Sequence, residues 1–316
     1  MAAYVYIDSN VVSYIAAGRL RDFIDTLKSS GTLCIVSELV LDEVSKGSPN
    51  GELELLKRHG TLFISAREPL VLGQAMSAKD ISEYQSEDTS FAEIDDFLLS
   101  MIVALTGNPT ADISFAALRQ ALSNLADRTF EKNSVEPWIE TAFRAALDEQ
   151  LRTVSETTPP VISKDALTKF GIGRKFFTHL RPPSLIRKIV NQVSRSSTGA
   201  LEMLEKACFA PISPNDNVRE RIHEAGMCLI LWGFGRDRKI DKLSSAISVN
   251  GARSQERDLL HIAAAAGLSG FVSADKDCAR LAYALFEHFG IKTSVIFVSL
   301  AAKSPRFEIV GENFWP

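Results

Sequence analysis

The strand-like runs of this chain fall near its two ends, and that placement limits the folds open to it. Tyr4 to Ile7 is a short apolar run that stops at Asp8, and Val11 to Ala17 follows at helical spacing. Arg19 to Ser29 carries Leu20, Phe23, Ile24 and Leu27 on one face, with Gly31 placed to end it. Thr32 to Val36 reads as the next strand. Ser37 stands at an N-cap position, and Glu38 to Lys46 follows as a helix stopped by Gly47. Glu52 to Arg58 reads as helix and Leu62 to Ser65 as a third strand. The alternation returns late in the chain, with helix over Ser254 to Ala266, strand over Gly270 to Ser273, helix over Cys278 to Phe289 and strand over Lys292 to Leu300. Short strands separated by helices predict a parallel sheet of strand-helix-strand units.

Between these ends only helical periodicity is found, broken by Gly107-Asn108-Pro109, Thr158-Pro159-Pro160, Arg181-Pro182-Pro183 and Pro211-Ile-Ser-Pro214. Helices are expected near Phe91 to Thr106, Ser114 to Asp127, Glu136 to Val154, Leu185 to Val193 and Gly199 to Cys208. The economical organisation is one α/β domain, residues 1–75 and 251–302, interrupted by a mainly α-helical insertion at 76–250 and followed by a tail at 303–316.

Composition removes several alternatives. With 46% hydrophobic and 23% charged residues, the chain is neither mostly disordered nor collagen-like nor a disulfide scaffold. The apolar stretches Met227 to Trp232 and Val295 to Ala302 are far shorter than the ~20 residues of a membrane helix. The N-terminus has no basic stretch followed by an apolar one, so no secretory signal is expected. Cys34, Cys208, Cys228 and Cys278 form no C-x-x-C pair, and a reduced, cytoplasmic protein is expected.

Charge is unevenly spread. From Asp80 to Pro160 there are 15 acidic against 5 basic residues, and from Val161 to Lys242 there are 8 against 15. Two oppositely charged blocks either pair within one helical region or face different partners. The basic block includes Lys169-Phe-Gly-Ile-Gly-Arg-Lys-Phe-Phe177, where Lys169, Arg174, Lys175 and Arg181 are candidate phosphate contacts interleaved with aromatics. The same segment also fits a helix start with core aromatics and solvated charges.

Ligands of parallel α/β sheets bind at the carboxyl ends of the strands. Asp8 ends the first strand, and Asp275 and Asp277 follow directly on Phe271-Val-Ser273. Glu43 lies in the helix after the second strand, and Asp258 in the first turn of the helix before Phe271. Each has an ordinary reading: Asp8 as an N-cap, Glu43 as a surface residue replaceable by Asp42 or Glu38, Asp258 in competition with Glu256, and the acid pair as a turn. Gathered at one edge, they would repel and need a counter-charge. A hard divalent cation that also reaches substrate phosphate oxygens supplies one. His261, three positions after Asp258, is expected to be structural, and Cys278 to pack as a small buried side chain.

Four segments then resemble the motifs of PIN-domain nucleases, including the VapC-like members. Tyr6-Ile-Asp8-Ser9-Asn10-Val-Val is similar to their opening strand. Val40-Leu-Asp-Glu43-Val-Ser-Lys-Gly47 resembles their helical acid with a following glycine. Arg257-Asp258-Leu-Leu-His-Ile-Ala-Ala-Ala-Ala-Gly267 is similar to an acid opening an alanine-rich helix, and Phe271-Val-Ser273-Ala-Asp275-Lys-Asp277 to a strand, a hydroxyl and an acid pair. The resemblance covers about 130 residues at the two ends of the chain and leaves the middle without a counterpart. It implies a PIN-like three-layer domain and a Mg2+- or Mn2+-dependent ribonuclease. Asp8, Glu43, Asp258 and Asp275 would hold metal, Asp277 would act in an outer sphere or on a second metal, and Asn10 and Ser273 would orient ligands. The implied partners are an RNA substrate, an inhibitor or antitoxin protein and a second copy of the chain, with no membrane. A structure-specific DNA nuclease and an inactive RNA- or protein-binding scaffold are the alternatives.

Overall fold

The computed structural model describes residues 3–20, 22–46, 49–64, 174–196, 208–214, 216–235, 245–300 and 305–315, with Thr141, Arg144 and Ala145. The helices expected near Phe91 to Thr106 and Ser114 to Asp127 lie outside the described residues. So does nearly all of those expected over Glu136 to Val154 and Gly199 to Cys208.

The chain is α/β. In order come β1 (Ala3–Ile7), α1 (Ser9–Ala16), α2 (Phe23–Ser29), β2 (Thr32–Ser37), α3 (Glu38–Lys46), α4 (Pro49–Arg58) and β3 (Leu62–Ile64). Then follow α5 (Arg174–His179), α6 (Leu185–Ser196), α7 (Val218–Leu231), α8 (Ser245–Ala265), β4 (Gly270–Ser273), α9 (Lys276–Phe289), β5 (Ser294–Ser299) and β6 (Arg306–Ile309). Among the described residues the strands form one six-stranded sheet, ordered β3-β2-β1-β4-β5-β6. All neighbouring pairs are parallel except β5 with β6.

Two units make up the chain. One comprises Met1–Asp88, Phe170–Arg236 and Ser254–Pro316, the other Thr89–Lys169 and Asp237–Arg253. Residues 170–236, expected in the helical insertion, therefore belong to the same unit as the sheet. The reason is apolar: α6 buries Leu185, Ile186 and Ile189, α7 buries Ile222, Ala225 and Leu229, and both helices pack on α9.

Strands β1 and β4 sit at the centre, covered on both faces, so they read as continuous apolar runs. Tyr6, Ile7, Phe271 and Val272 are completely buried. Each such side chain contributes about 1.5–3 kcal/mol of burial. From β1 the chain moves outward to β2 and β3, whereas β5 lies on the far side of β4. The order thus reverses between β1 and β4, the place where open α/β sheets form a ligand crevice at the strands' carboxyl ends.

Two features position α8 and the sheet's far edge. A Cβ on Gly226 of α7 would collide with the buried Leu259 side chain, so glycine permits the close approach of α7 to α8. The 303–316 segment, expected as a tail, supplies β6 and a docked end: Val310 N–H donates to Val295 O at 2.8 Å, and Phe314 and Trp315 are buried. All four residues of β6 are exposed; Arg306-Phe-Glu-Ile309 alternates polar and apolar, but over four residues only, and pairing with β5 makes it a strand. Among the described residues no helix is long and apolar enough to cross a membrane.

Candidate metal centre at the ends of β1 and β4

Asp8 follows β1, and its backbone N–H donates to Val272 O at 3.0 Å, tying the end of β1 to β4. Its carbonyl accepts from the Val11 and Val12 N–H groups, so the residue occupies the N-cap position of α1. Its side chain makes no capping hydrogen bond. The carboxylate, 2% exposed, turns inward, where Ser273 Oγ donates to Oδ2 at 2.9 Å and Ser9 Oγ to Oδ1 at 3.3 Å. Burial raises the pKa of Asp8, while the charge of His261 and the Ser273 hydroxyl pull the other way.

Glu43 arrives from α3, whose start follows directly on the end of β2. His261 arrives from α8 and is 1% exposed. Its Nε2 lies 3.4 Å from Glu43 Oε2 and 3.9 Å from Asp8 Oδ1. Arg257, one turn earlier on α8, places Nη1 3.8 Å from Glu43 Oε1. Burial opposes ionisation of Glu43, yet its pKa falls below the usual value because His261, Ser9 and Arg257 favour the carboxylate. Burial likewise pushes His261 down, but the hydrogen bond to Glu43 and the charges of Asp8 and Glu43 raise it overall.

Behind His261 runs a buried chain of hydroxyls. Tyr6 OH lies 2.7 Å from His261 Nδ1 and 2.6 Å from Ser37 Oγ. Tyr6 precedes Asp8 by two positions in extended backbone, so both side chains leave the same face of the sheet. Alternation along β1 and the three-residue step from Asp258 to His261 were the available signals for Tyr6 and His261. Neither separates a ligand from a packed side chain.

Among the described residues, Asp8, Glu43 and His261 form the group that could share a metal ion, with one ligand atom from each lying within 4.8 Å of the others. Two carboxylates and an imidazole fit a divalent cation. The other expected acids are placed differently. Asp275 is exposed, and its Oδ1 accepts from the N–H groups of Asp277 (2.7 Å) and Cys278 (3.0 Å), capping α9. Its own N–H donates to Ser273 Oγ, which joins the cap to Asp8. Asp277 faces Arg280 at 3.6 Å. Asp258 is half-buried on α8. Burial, then the charges of Asp258, Asp8 and Asp275, lift the Cys278 thiol pKa. Asn10 lies exposed in the first turn of α1.

Of the candidate phosphate contacts, Lys169 lies outside the described residues, and Arg174 and Lys175 open α5. Arg181 Nη1 donates to Leu180 O. The neighbouring Phe177 packs edge-on against the buried Phe234, with centroids 5.8 Å apart, as a core aromatic does. Against protein-family models, curated proteins and solved structures, the chain finds no match.

Proposed function

We propose that the chain is a divalent-metal-dependent endoribonuclease built on a PIN-like α/β domain, with the long segment between β3 and β4 inserted into that domain. The observation that carries this reading is the meeting of Asp8, Glu43 and Ser273 at the sheet's switch point. Asp8 is buried away from its capping role, and Glu43 lies close enough to share a cation with it. A nonspecific α/β scaffold has no need to set a half-buried Glu43 beside a buried Asp8, because burial makes carboxylates costly to ionise.

When bound, Mg2+ or Mn2+ would supply Lewis acidity toward a phosphate oxygen. Asp8 and Glu43 would hold the ion, and Ser273 fixes the orientation of the Asp8 carboxylate. An ionised acid on the same edge accepts the proton of the attacking water, for which Asp258 and Asp277 are the candidates. The segment bearing Lys169, Arg174, Lys175 and Arg181 would contact the nucleic-acid backbone. A toxin or defence effector held in check by an inhibitor protein is the setting that suits such an activity, and the cytoplasm its compartment.

The test is incubation of the full chain and of Asp8→Asn with single-stranded RNA and Mn2+ or Mg2+, followed by end mapping. Cleavage that stops with EDTA and is lost in Asp8→Asn is expected. Equal cleavage by both proteins removes Asp8 from the mechanism, and cleavage confined to DNA substrates assigns the chain to the DNA nucleases instead.

A second reading, a scaffold that binds RNA or protein without turnover, is favoured by one contact. Arg257 at 3.8 Å from Glu43, together with His261, offers positive charge to the acids from within the chain. RNA binding without product in the presence of Mn2+ would establish it.

A further inference from the structure

We infer that His261 is a direct ligand of the metal through Nε2, and that the site therefore takes a first-row transition ion, zinc or manganese, in preference to magnesium. This inference rests on the metal-dependent reading above and names the ion and the third ligand, which the four-acid expectation did not contain.

The first support is spacing. Two atoms bound to one ion at about 2.0–2.2 Å stand about 3–4 Å apart over the usual range of bond angles. His261 Nε2 lies 3.4 Å from Glu43 Oε2 and 3.9 Å from Asp8 Oδ1. A charge-assisted hydrogen bond between imidazole and carboxylate would be about 2.7–2.9 Å. The Nε2 contact with Glu43 is a long hydrogen bond, and the three ligand atoms lie within 4.8 Å of one another, close enough for one ion to replace the proton between them.

The second support lies behind the ring. A metal-bound histidine donates its other N–H to a fixed partner, which sets tautomer and orientation. Tyr6 OH is that partner, at 2.7 Å from Nδ1, and Ser37 Oγ stands at 2.6 Å to receive the tyrosine hydrogen in turn. When an ion replaces the Nε2 proton, Tyr6 donates to Ser37 and accepts from Nδ1–H, and the Nε2 lone pair is directed at the ion between the two carboxylates. Tyr6, Ser37 and His261 are all buried, so water does not compete for these positions.

The third support is what the expected acids do instead. Asp275 spends Oδ1 on the N–H groups that open α9. An oxygen-only magnesium site drawn from the four acids loses that ligand atom, whereas His261 brings a nitrogen between Asp8 and Glu43. Magnesium favours oxygen donors and retained waters, and imidazole favours transition ions. Three protein ligands with a further position for substrate or water is the arrangement of catalytic zinc sites.

The test uses the metal-free full chain with Mn2+, Zn2+ or Mg2+ alone. Binding is read by calorimetry, and the Mn2+ complex by pulsed electron paramagnetic resonance for nitrogen coupling. Stoichiometric Mn2+ with a nitrogen coupling that disappears in His261→Gln is expected. The same variant should lose at least about tenfold in Mn2+ and Zn2+ affinity and change little toward Mg2+. The wild-type spectrum decides even where the variant does not fold. Bound Mn2+ without nitrogen coupling overturns the His261 assignment and leaves the metal-dependent reading standing. No stoichiometric binding of any of the three ions overturns both.

Discussion

Ser273 Oγ donates a 2.9 Å hydrogen bond to Asp8 Oδ2, joining the ends of two adjacent strands whose residues are 265 positions apart in the chain. The same hydroxyl accepts from Asp275 N–H, so one small side chain connects the buried acid to the capped start of α9. This fixes where the Asp8 carboxylate points, and removing it has two separable effects.

Ser273→Ala deprives a buried carboxylate oxygen of its donor. The expected cost is about 1–3 kcal/mol of folding stability, read by urea denaturation. Metal affinity, read by calorimetry, should fall about 10–100-fold because the ligand loses its support. Unchanged values on both measures would show that the hydroxyl bond is incidental.

Asp275 has a structural task that the side-chain amide oxygen of an asparagine can share. Asp275→Ala should cost about 0.5–2 kcal/mol through the lost N-cap, and Asp275→Asn should recover most of it. Comparing the two variants isolates the charge. An Asn variant with wild-type melting temperature and diminished cleavage assigns the carboxylate a role in the reaction. Full cleavage by that variant leaves it a cap.

Tyr6→Phe keeps the ring, which lies 6.1 Å from Phe271, and removes the hydroxyl that connects Ser37 to His261. Two buried polar groups then lose a partner, at about 1–3 kcal/mol each before relaxation. Chemical denaturation should show the loss. If His261 binds metal, the variant should also weaken Mn2+ binding while keeping the nitrogen coupling.

His223 on α7 sets a pH dependence away from the metal centre. Burial lowers its pKa from 6.5 to about 4, and Glu256 of α8 stands 3.9 Å from its Nε2. Because the folded value is the lower one, the unfolded chain takes up the proton first as the solution is acidified. Stability should therefore decline between pH 6.5 and about 4. The decline is on the order of 1–3 kcal/mol, trimmed by solvent screening. Its side chain is 30% exposed, so the lower part of that range is expected. Thermal melts of His223→Gln across this window should be flatter than those of the wild type, and parallel curves would exclude the residue as the cause.

Local patterns carried much of the architecture. The runs at β1, β2 and β4 are apolar because both sheet faces are covered, and that continuity is visible in any window that contains them. Helix α3 begins where Ser37 suggests, since caps act over a few residues, while the stop expected at Gly47 lies outside the described residues. With the parallel order implied by these elements, Asp8 and Ser273 could be placed at one edge of the sheet from sequence.

What lay beyond the sequence is a matter of long-range partners. Whether Asp8 caps its helix or turns inward depends on Ser273 and His261, and whether Asp275 faces an ion or its own helix depends on the geometry at the start of α9. His261 reads as packing beside alanines until Glu43, from α3, and Tyr6, from β1, are brought against its two nitrogens. Strand β6 alternates over only four residues, Arg306 to Ile309, too short a run to be told from a tail, and is made a strand by its pairing with β5. Periodicity and capping are written within a turn or two of chain, so the sequence by itself determined the α/β elements and their acidic ends. The chemistry of a buried ionisable group is set by what stands within a few ångströms of it, and here those neighbours come from distant segments that only the tertiary structure joins.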